Sequence, residues 1–202
     1  MINSIDRLDR FLFYLFNNRL TSPFQDAIMP LMRNQFTWAP LYLFLLIFMV
    51  WNFKGKGLAW CVFFLVAFGL GDTISAKLIK FEVQRLRPCN DPWMQAHLRL
   101  LVDCGSGFSF PSAHATNHFA LAMFGIVTLR QYWKPVVPVA LCWAAVVAYS
   151  QVYVGVHYPF DILTGALLGT LIGWFTGSYF NTRISLDAHK GWFATRAETP
   201  AP

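Results

Sequence analysis

At 202 residues, 56% hydrophobic, 17% aromatic and 13% charged, with a mean hydropathy of +0.44, the chain is too apolar for a water-soluble domain of its size. A soluble bundle would need amphipathic helices with charged outer faces, whereas several stretches here run uncharged for about 19 residues or more, roughly one bilayer crossing. The formal charge of +6 is scattered over the links between these stretches rather than gathered in a run, which argues against nucleic-acid binding and for Lys and Arg that orient membrane spans.

From the N-terminus, Leu8 to Phe16 and Phe24 to Met32 are amphipathic, are broken at Thr21-Ser22-Pro23, and carry Arg7, Arg10, Arg19, Asp26 and Arg33. They read as helices lying in or near the membrane interface, a unit of residues 1–34. The short apolar run Phe11 to Phe16, followed by Asn17-Asn18-Arg19, does not suit a secretory leader. Gln35 to Phe53 is the first span, stopped by the polar link Lys54-Gly55-Lys56. Gly57 to about Ile79 is the second, with Asp72, Lys77 and Lys80 near its end, where ionisable groups at membrane depth are functional suspects.

Arg85 to Gly107 is a loop, rich in turn residues at Pro88, Asn90-Asp91-Pro92 and Gly105-Ser106-Gly107. It contains Cys89 and Cys104, which are either joined, if the loop faces an oxidising compartment, or two separate thiols. Cys61 and Cys142 lie in apolar stretches and read as small hydrophobes. The third span runs from about Ser112 to Leu129. From Val136 to Phe180 only Asp161 is charged, and one unbroken helix of that length would measure roughly 67 Å, about twice a bilayer core. Two spans are therefore expected, with a break near Gly155 to Pro159, since proline suits the first turn of a helix and not its interior.

The whole reads as an all-α polytopic membrane bundle of five to six transmembrane helices: amphipathic helices over 1–34, a transmembrane catalytic unit over 35–181, and a polar tail over 182–202. Connectivity places the end of span two, the start of span three and the link between spans four and five on one side. The other side receives Lys54, Lys56, Arg130, Lys134, Arg183 and Lys190, and the positive-inside tendency makes it cytoplasmic. Five spans then leave the N-terminal arginines outside, unless Leu8 to Met32 dips through as a sixth.

That shared side carries the chemistry. Lys80 and Arg87-Pro88 offer a mobile ammonium and a forked guanidinium, donors suited to phosphate, although interfacial snorkelling would also account for either alone. Ser112 stands at a helix N-cap position, so its hydroxyl and the leading amides of Ala113 and His114 can form an anion site; an ordinary cap is the plainer alternative. His114 suits proton donation to a leaving oxygen, and His118, a turn further in, a supporting role. His157 and Asp161, four residues apart, suit a nucleophile and the carboxylate that orients it, or a structural pair.

Lys80-x6-Arg87-Pro88, Pro111-Ser112-Ala113-His114 and Ser150-Gln151-x5-His157-x3-Asp161, in this order, resemble the three signature motifs of the type 2 phosphatidic acid phosphatase (PAP2) superfamily over about Lys77 to Gly169. The resemblance implies a helical core in which His157 becomes a phosphohistidine, Asp161 orients it, and His114 protonates the leaving group. Lys80, Arg87, Ser112 and backbone amides, that of Ala113 among them, hold the phosphate, and no metal or cofactor is implied. Two positions depart from the pattern. Ala113 stands for a usual glycine, a mild change where a backbone amide is used. Gln151 stands for a usual arginine, and an amide cannot supply the lost charge; losing one such donor typically costs on the order of 3 kcal/mol. Arg85 is the cation expected to compensate.

The expected activity is that of an integral-membrane lipid phosphatase at the outer face of a cytoplasmic membrane, with undecaprenyl diphosphate as the first substrate expected. Phosphatidylglycerophosphate, phosphatidate and lipid A phosphates stand as alternatives, as does a lipid-phosphate-binding or lipid-transport protein whose catalysis has faded with Gln151. The expected partners are the lipid phosphate and membrane lipids.

Overall fold

The computed structural model describes residues 4–186, so Lys190 and Arg196 of the expected tail lie outside the described residues. Among the described residues every regular element is helical. α1 (Ser4–Tyr14) runs into a wide π turn, Leu15–Arg19, and α2 (Pro23–Arg33) follows, its N-terminus capped by Ser22, whose Oγ accepts from the Gln25 amide at 3.3 Å. These helices do not dip through the bundle. Asn17 donates to the carbonyls of Arg99 and Tyr153 at 2.8 Å each, and Arg99 grips Asp26 at 2.7 and 2.8 Å, so the N-terminal unit sits on the end of the molecule where α7 (Val136–Tyr153) finishes.

α3 (Ala39–Asp72) is continuous in hydrogen bonding but reverses at Lys54, whose φ of 54° and ψ of −127° are not helical. A straight helix would hold residues 42 and 64 roughly 33 Å apart. Instead the rings of Tyr42 and Phe64 are 6.3 Å apart, and a β-carbon on Gly57 would fall 1.9 Å from the Met49 carbonyl oxygen. α3 is thus a hairpin with legs 39–53 and 55–72, as the polar link at Lys54-Gly55-Lys56 predicts. Its second leg opens into a π turn, Thr73–Ile79, before α4 (Lys80–Val83); such widened turns mark functional positions in many helices.

After α5 (Pro92–Gln95) come α6 (Ala113–Leu129), α7 and α8 (Pro159–Arg183). The expected break between the last two spans falls at 154–158. Three helical stretches, Gln35–Gln95, Val136–Tyr153 and Pro159–Arg183, are long and apolar enough to cross a membrane, and the first of these contains the hairpin.

α8 packs along α6 through glycines spaced by four. A β-carbon on Gly165, Gly169 or Gly173 would lie 2.6, 2.1 or 2.2 Å from the carbonyl oxygens of Ser112, Thr116 and Ala120. Small residues at this spacing let backbones approach where lipid removes any hydrophobic preference for helix over tail. At the far end the core is aromatic: Trp60, buried, meets Phe124 at 5.3 Å and donates its indole N–H to Thr128 Oγ1 at 2.7 Å, while Phe124 meets Phe180 at 6.0 Å.

Candidate active site

Helix ends from distant parts of the chain meet at one end of the bundle. α7 stops because the Gln151 carbonyl accepts from both the Val156 and His157 amides, at 3.1 and 3.2 Å, while Gly155, at φ 93°, turns the chain toward Pro159. That turn delivers His157 into the interior, 2% exposed. α8 then begins with Pro159, and Asp161 closes its first turn by accepting from the Tyr158 amide at 2.8 Å.

The His157 ring is held on both nitrogens. Nδ1 lies 3.6 Å from Asp161 Oδ2 and 3.4 Å from Ser109 Oγ, and Ser109 in turn donates to Asp161 Oδ2. Nε2 lies 3.2 Å from Arg87 Nη1, and the same guanidinium donates to the carbonyls of Val156 (3.2 Å) and Gly107 (3.4 Å). With Nδ1 turned to the carboxylate, Nε2 is the nitrogen turned to the Arg87 guanidinium. Burial is the largest influence on the ring and pushes its pKa down to about 4; Asp161 opposes this, and Arg87 and Lys80 add to it. His157 is therefore a neutral imidazole near pH 7.

The remaining expected residues surround it. Lys80, after the π turn, lies within electrostatic reach of Arg87, Asp161 and Asp72. Ser112 is the N-cap of α6: its Oγ accepts from the Ala115 amide at 3.4 Å, and its own N–H donates to the Asp161 carbonyl at 3.0 Å. The amides of Ala113 and His114 lead that helix, with no carbonyl a turn earlier to bind them. His114 faces His157 and Lys80, and its carbonyl meets His118 Nδ1 at 2.9 Å, the two rings lying parallel 6.5 Å apart.

Gln151 behaves differently from the rest. Its side chain is buried against its own helix, with Nε2 3.4 Å from both the Val147 carbonyl and Ser150 Oγ and with Oε1 unpartnered. It is the backbone carbonyl of this residue that shapes the His157 turn. Arg85, expected to compensate for the missing charge, is instead tied up: Nη1 donates to Asp161 Oδ1 at 2.8 Å, Nη2 to Asp9 Oδ2 at 2.7 Å, and the guanidinium lies 4.1 Å over the Tyr158 ring. Asp9, fully buried on α1, also accepts from the Phe160 amide at 2.9 Å and so caps α8 from outside the helix.

Ser109 and Asp9 thus help anchor Asp161 without having drawn notice in the sequence, and Arg85 does so in a role other than the one expected of it. Ser109, three residues before Ser112 in the same short segment, had the most readable signal. Nearby, Cys89 and Cys104 are joined, with Cα atoms 5.9 Å apart, which tethers the Arg87-Pro88 strand to the loop that returns to Ser109.

A cavity of about 520 Å³ descends from this cluster between the α3 hairpin and α6. Gln35, Asp72, Ala113 and His114 line its head, and Tyr42, Trp60, Phe64 and Leu121 its apolar depth. A histidine backed by a carboxylate and met by a guanidinium, in a bundle with helices apolar enough to cross a membrane, fits a phosphate-handling membrane protein. The model of the PAP2 superfamily matches residues 58–185. A lipid A 4'-phosphatase of Bacteroides thetaiotaomicron is 34% identical over 100% of this chain and 86% of its own length. An undecaprenyl-diphosphatase of Sulfolobus acidocaldarius is 32% identical over 68% of this chain and 61% of its own. A solved transmembrane PAP2-type phosphatidylglycerolphosphate phosphatase from Bacillus subtilis superimposes with a TM-score of 0.72 at 24% identity, covering 90% of this chain and 88% of that one. The chain belongs to the PAP2 superfamily, and it is a membrane phosphatase.

Proposed function

We propose that the protein removes a phosphate from a lipid phosphomonoester by way of a phosphohistidine on His157, at the outer face of a cytoplasmic membrane. The observation that carries this reading is the pairing of the two ring nitrogens: Asp161 and Ser109 on Nδ1, Arg87 3.2 Å from Nε2. Nε2 attacks phosphorus, the bond to the lipid oxygen breaks, and His114 gives that oxygen its proton. Asp161 stabilises the positive charge that grows on the ring. His114 then takes a proton from water as it attacks the phosphohistidine, which frees inorganic phosphate and restores the imidazole. Lys80, Arg87, Ser112 and the leading amides of α6 hold the phosphoryl oxygens through both steps.

The substrate proposed is a lipid A-type glycolipid phosphate, supported by a likeness to a lipid A 4'-phosphatase that runs the full length of the chain. Undecaprenyl diphosphate, the expectation from sequence, takes second place because the corresponding likeness covers 68% of the chain. Entry from the bilayer suits the cavity, whose polar head carries His114 and whose walls are apolar. The outward orientation is supported by the disulfide at the site end and by Lys54, Lys56 and Arg130 at the other. Part of the positive charge on the outer side is neutralised there: Arg10 of the N-terminal unit and Arg85 and Arg99 of the loop each pair with an aspartate.

Phosphate release by purified protein from a lipid A monophosphate and from undecaprenyl diphosphate, compared as kcat/KM, tests the substrate. A higher value for the glycolipid supports the proposal, and the reverse overturns it. Acid-labile, alkali-stable labelling by a radioactive phosphate ester, present in wild type and absent in His157→Ala, tests the intermediate.

A further inference from the structure

Position 151 leaves the phosphate site one cation short of the usual PAP2 pattern, and Arg85 is committed to Asp161, Asp9 and Asp6. We propose that Arg33, in the last turn of α2, is a phosphate-binding residue that supplies the missing guanidinium from the N-terminal segment.

A chain of ring contacts fixes the end of α2 beside His114. Trp38 donates its indole N–H to the Met32 carbonyl at 2.8 Å, and its ring meets Trp143 edge-on at 5.7 Å. Trp143 lies 5.0 Å from His118, whose ring is parallel to that of His114. Just after Arg33, Asn34 caps the turn Gln35–Trp38 through the Phe36 amide at 3.0 Å, and Gln35 lines the same cavity head as Ala113 and His114. Arg33 itself lies within electrostatic reach of both Arg87 and His114.

Its surroundings differ from those of Arg10, Arg85 and Arg99, each of which holds an aspartate within 2.8 Å. Arg33 is half-buried, and burial alone, with no facing carboxylate, pulls its guanidinium below the ordinary arginine range. A desolvated cation within electrostatic reach of Arg87 is unfavourable unless an anion is shared between them. A dianionic phosphoryl group provides that charge, and a second forked guanidinium adds paired donors to its equatorial oxygens.

The inference rests on the proposal that the site turns over a lipid phosphate at His157, and the experiment separates the two. In Arg33→Gln, kcat/KM for the lipid phosphate is expected to fall roughly a hundredfold, and inhibition by inorganic phosphate to weaken in parallel. Arg33→Lys should recover part of both, because it restores charge without the fork. Arg33→Gln combined with Gln151→Arg should recover part of the loss as well. Arg19→Gln, an exposed arginine on the π turn, serves as the control for net charge. If Arg33→Gln elutes and melts as wild type and keeps its kcat/KM and phosphate inhibition within twofold, the assignment is wrong. If Arg33→Gln does not fold, Arg33→Lys decides: an undiminished kcat/KM in that variant counts against a forked contact. Turnover surviving in His157→Ala would instead sink the covalent reading.

Discussion

The two ends of the helical bundle are built on different physics. At the site end, buried charges answer one another: Asp161 receives Arg85, Ser109 and the Tyr158 amide, and Asp9 receives Arg85 and the Phe160 amide. At the far end, where the α3 hairpin turns at Lys54, the contacts are rings, with Phe53 5.9 Å from Tyr132 and Phe63 5.6 Å from Phe180. The glycine face of α8 joins the two. A membrane gives little hydrophobic reward for packing apolar helices together, so the far end relies on shape and close approach, and the site end on polar groups that would be costly to leave unpaired. The site end has the further task of holding a nucleophile still while an anion arrives.

Substitution at the nucleophile separates the ends most sharply. His157→Ala should reduce phosphate release by at least about 10⁴-fold while leaving the melting temperature in detergent close to wild type. A comparable loss from a far-end change such as Phe63→Leu, in protein that still folds, would break the division.

Asp9 tests whether the N-terminal helix belongs to the chemistry. Asp9→Asn removes the nearest of the carboxylates that share Arg85, so the guanidinium draws more strongly on Asp161, which then stabilises charge on His157 less well. A fall in kcat of roughly 10- to 100-fold is expected, with KM little changed. The acid limb of the pH profile should also move lower, a change that mere loosening of α1 would not produce. In the double variant with Arg85→Gln the losses should not add, since both act through one carboxylate.

For wild type the direction with pH follows from burial. The folded His157 holds its proton only below about 4, whereas the unfolded chain takes one up near the ordinary 6.5. Lowering the pH through that interval protonates the unfolded state first, so the contribution of His157 to stability is complete above about 6.5 and is lost progressively as pH falls toward 4. The nucleophile itself, with Asp161, Arg87, Lys80 and His114 around it, stays mostly neutral over the upper part of that range and charges only as the pH nears 4. Melting temperatures between pH 7 and about 5 should therefore decline while the fraction of free imidazole barely changes. A titration of the His157 ring by NMR giving a value near 6.5 would remove the basis for both statements.

The glycine ladder sharpens the comparison along one helix. Gly165→Ala forces its new carbon toward the Ser112 carbonyl at the site, and Gly177→Ala toward Val127 at the other end. Both should cost about 1–3 kcal/mol of stability by overpacking. Only Gly165→Ala, which shifts the helix start carrying the anion site, should also lower kcat/KM in the protein that remains folded.

Much of this architecture can be read in the chain. Uncharged runs mark the spans, the polar triplet at Lys54 marks the hairpin, and three clusters at span ends converge because connectivity leaves them on one side. Asp9 could not be read this way, because on its own helix it looks like any polar residue of an amphipathic face. Its value appears only when α1 is laid against the start of α8. Arg85, expected as a spare phosphate cation, shows its other use only when Asp161, Asp9 and Asp6 are placed beside it. The spacing Gly165-x3-Gly169-x3-Gly173-x3-Gly177 is present in the sequence, but it names no partner; the Ser112, Thr116 and Ala120 carbonyls of α6 do. Cys89 and Cys104 allowed two readings that spacing alone does not separate.

Gln151 gives the smallest expected effect. Its Oε1 is buried without a partner, which costs about 1–3 kcal/mol of desolvation, and its Nε2 contacts are long, at 3.4 Å. Met has nearly the same length and no polar atom to leave unsatisfied. Gln151→Met should therefore change stability by less than about 1 kcal/mol, in either direction. The carbonyl that holds the Val156 and His157 amides is untouched by the change, so the turn and the nucleophile should keep their positions. A kcat/KM close to wild type would mean that the side chain stands outside the phosphate cradle. A loss near the hundredfold expected for a missing transition-state donor would put the amide of Gln151 inside it, turned toward the phosphate once substrate is bound.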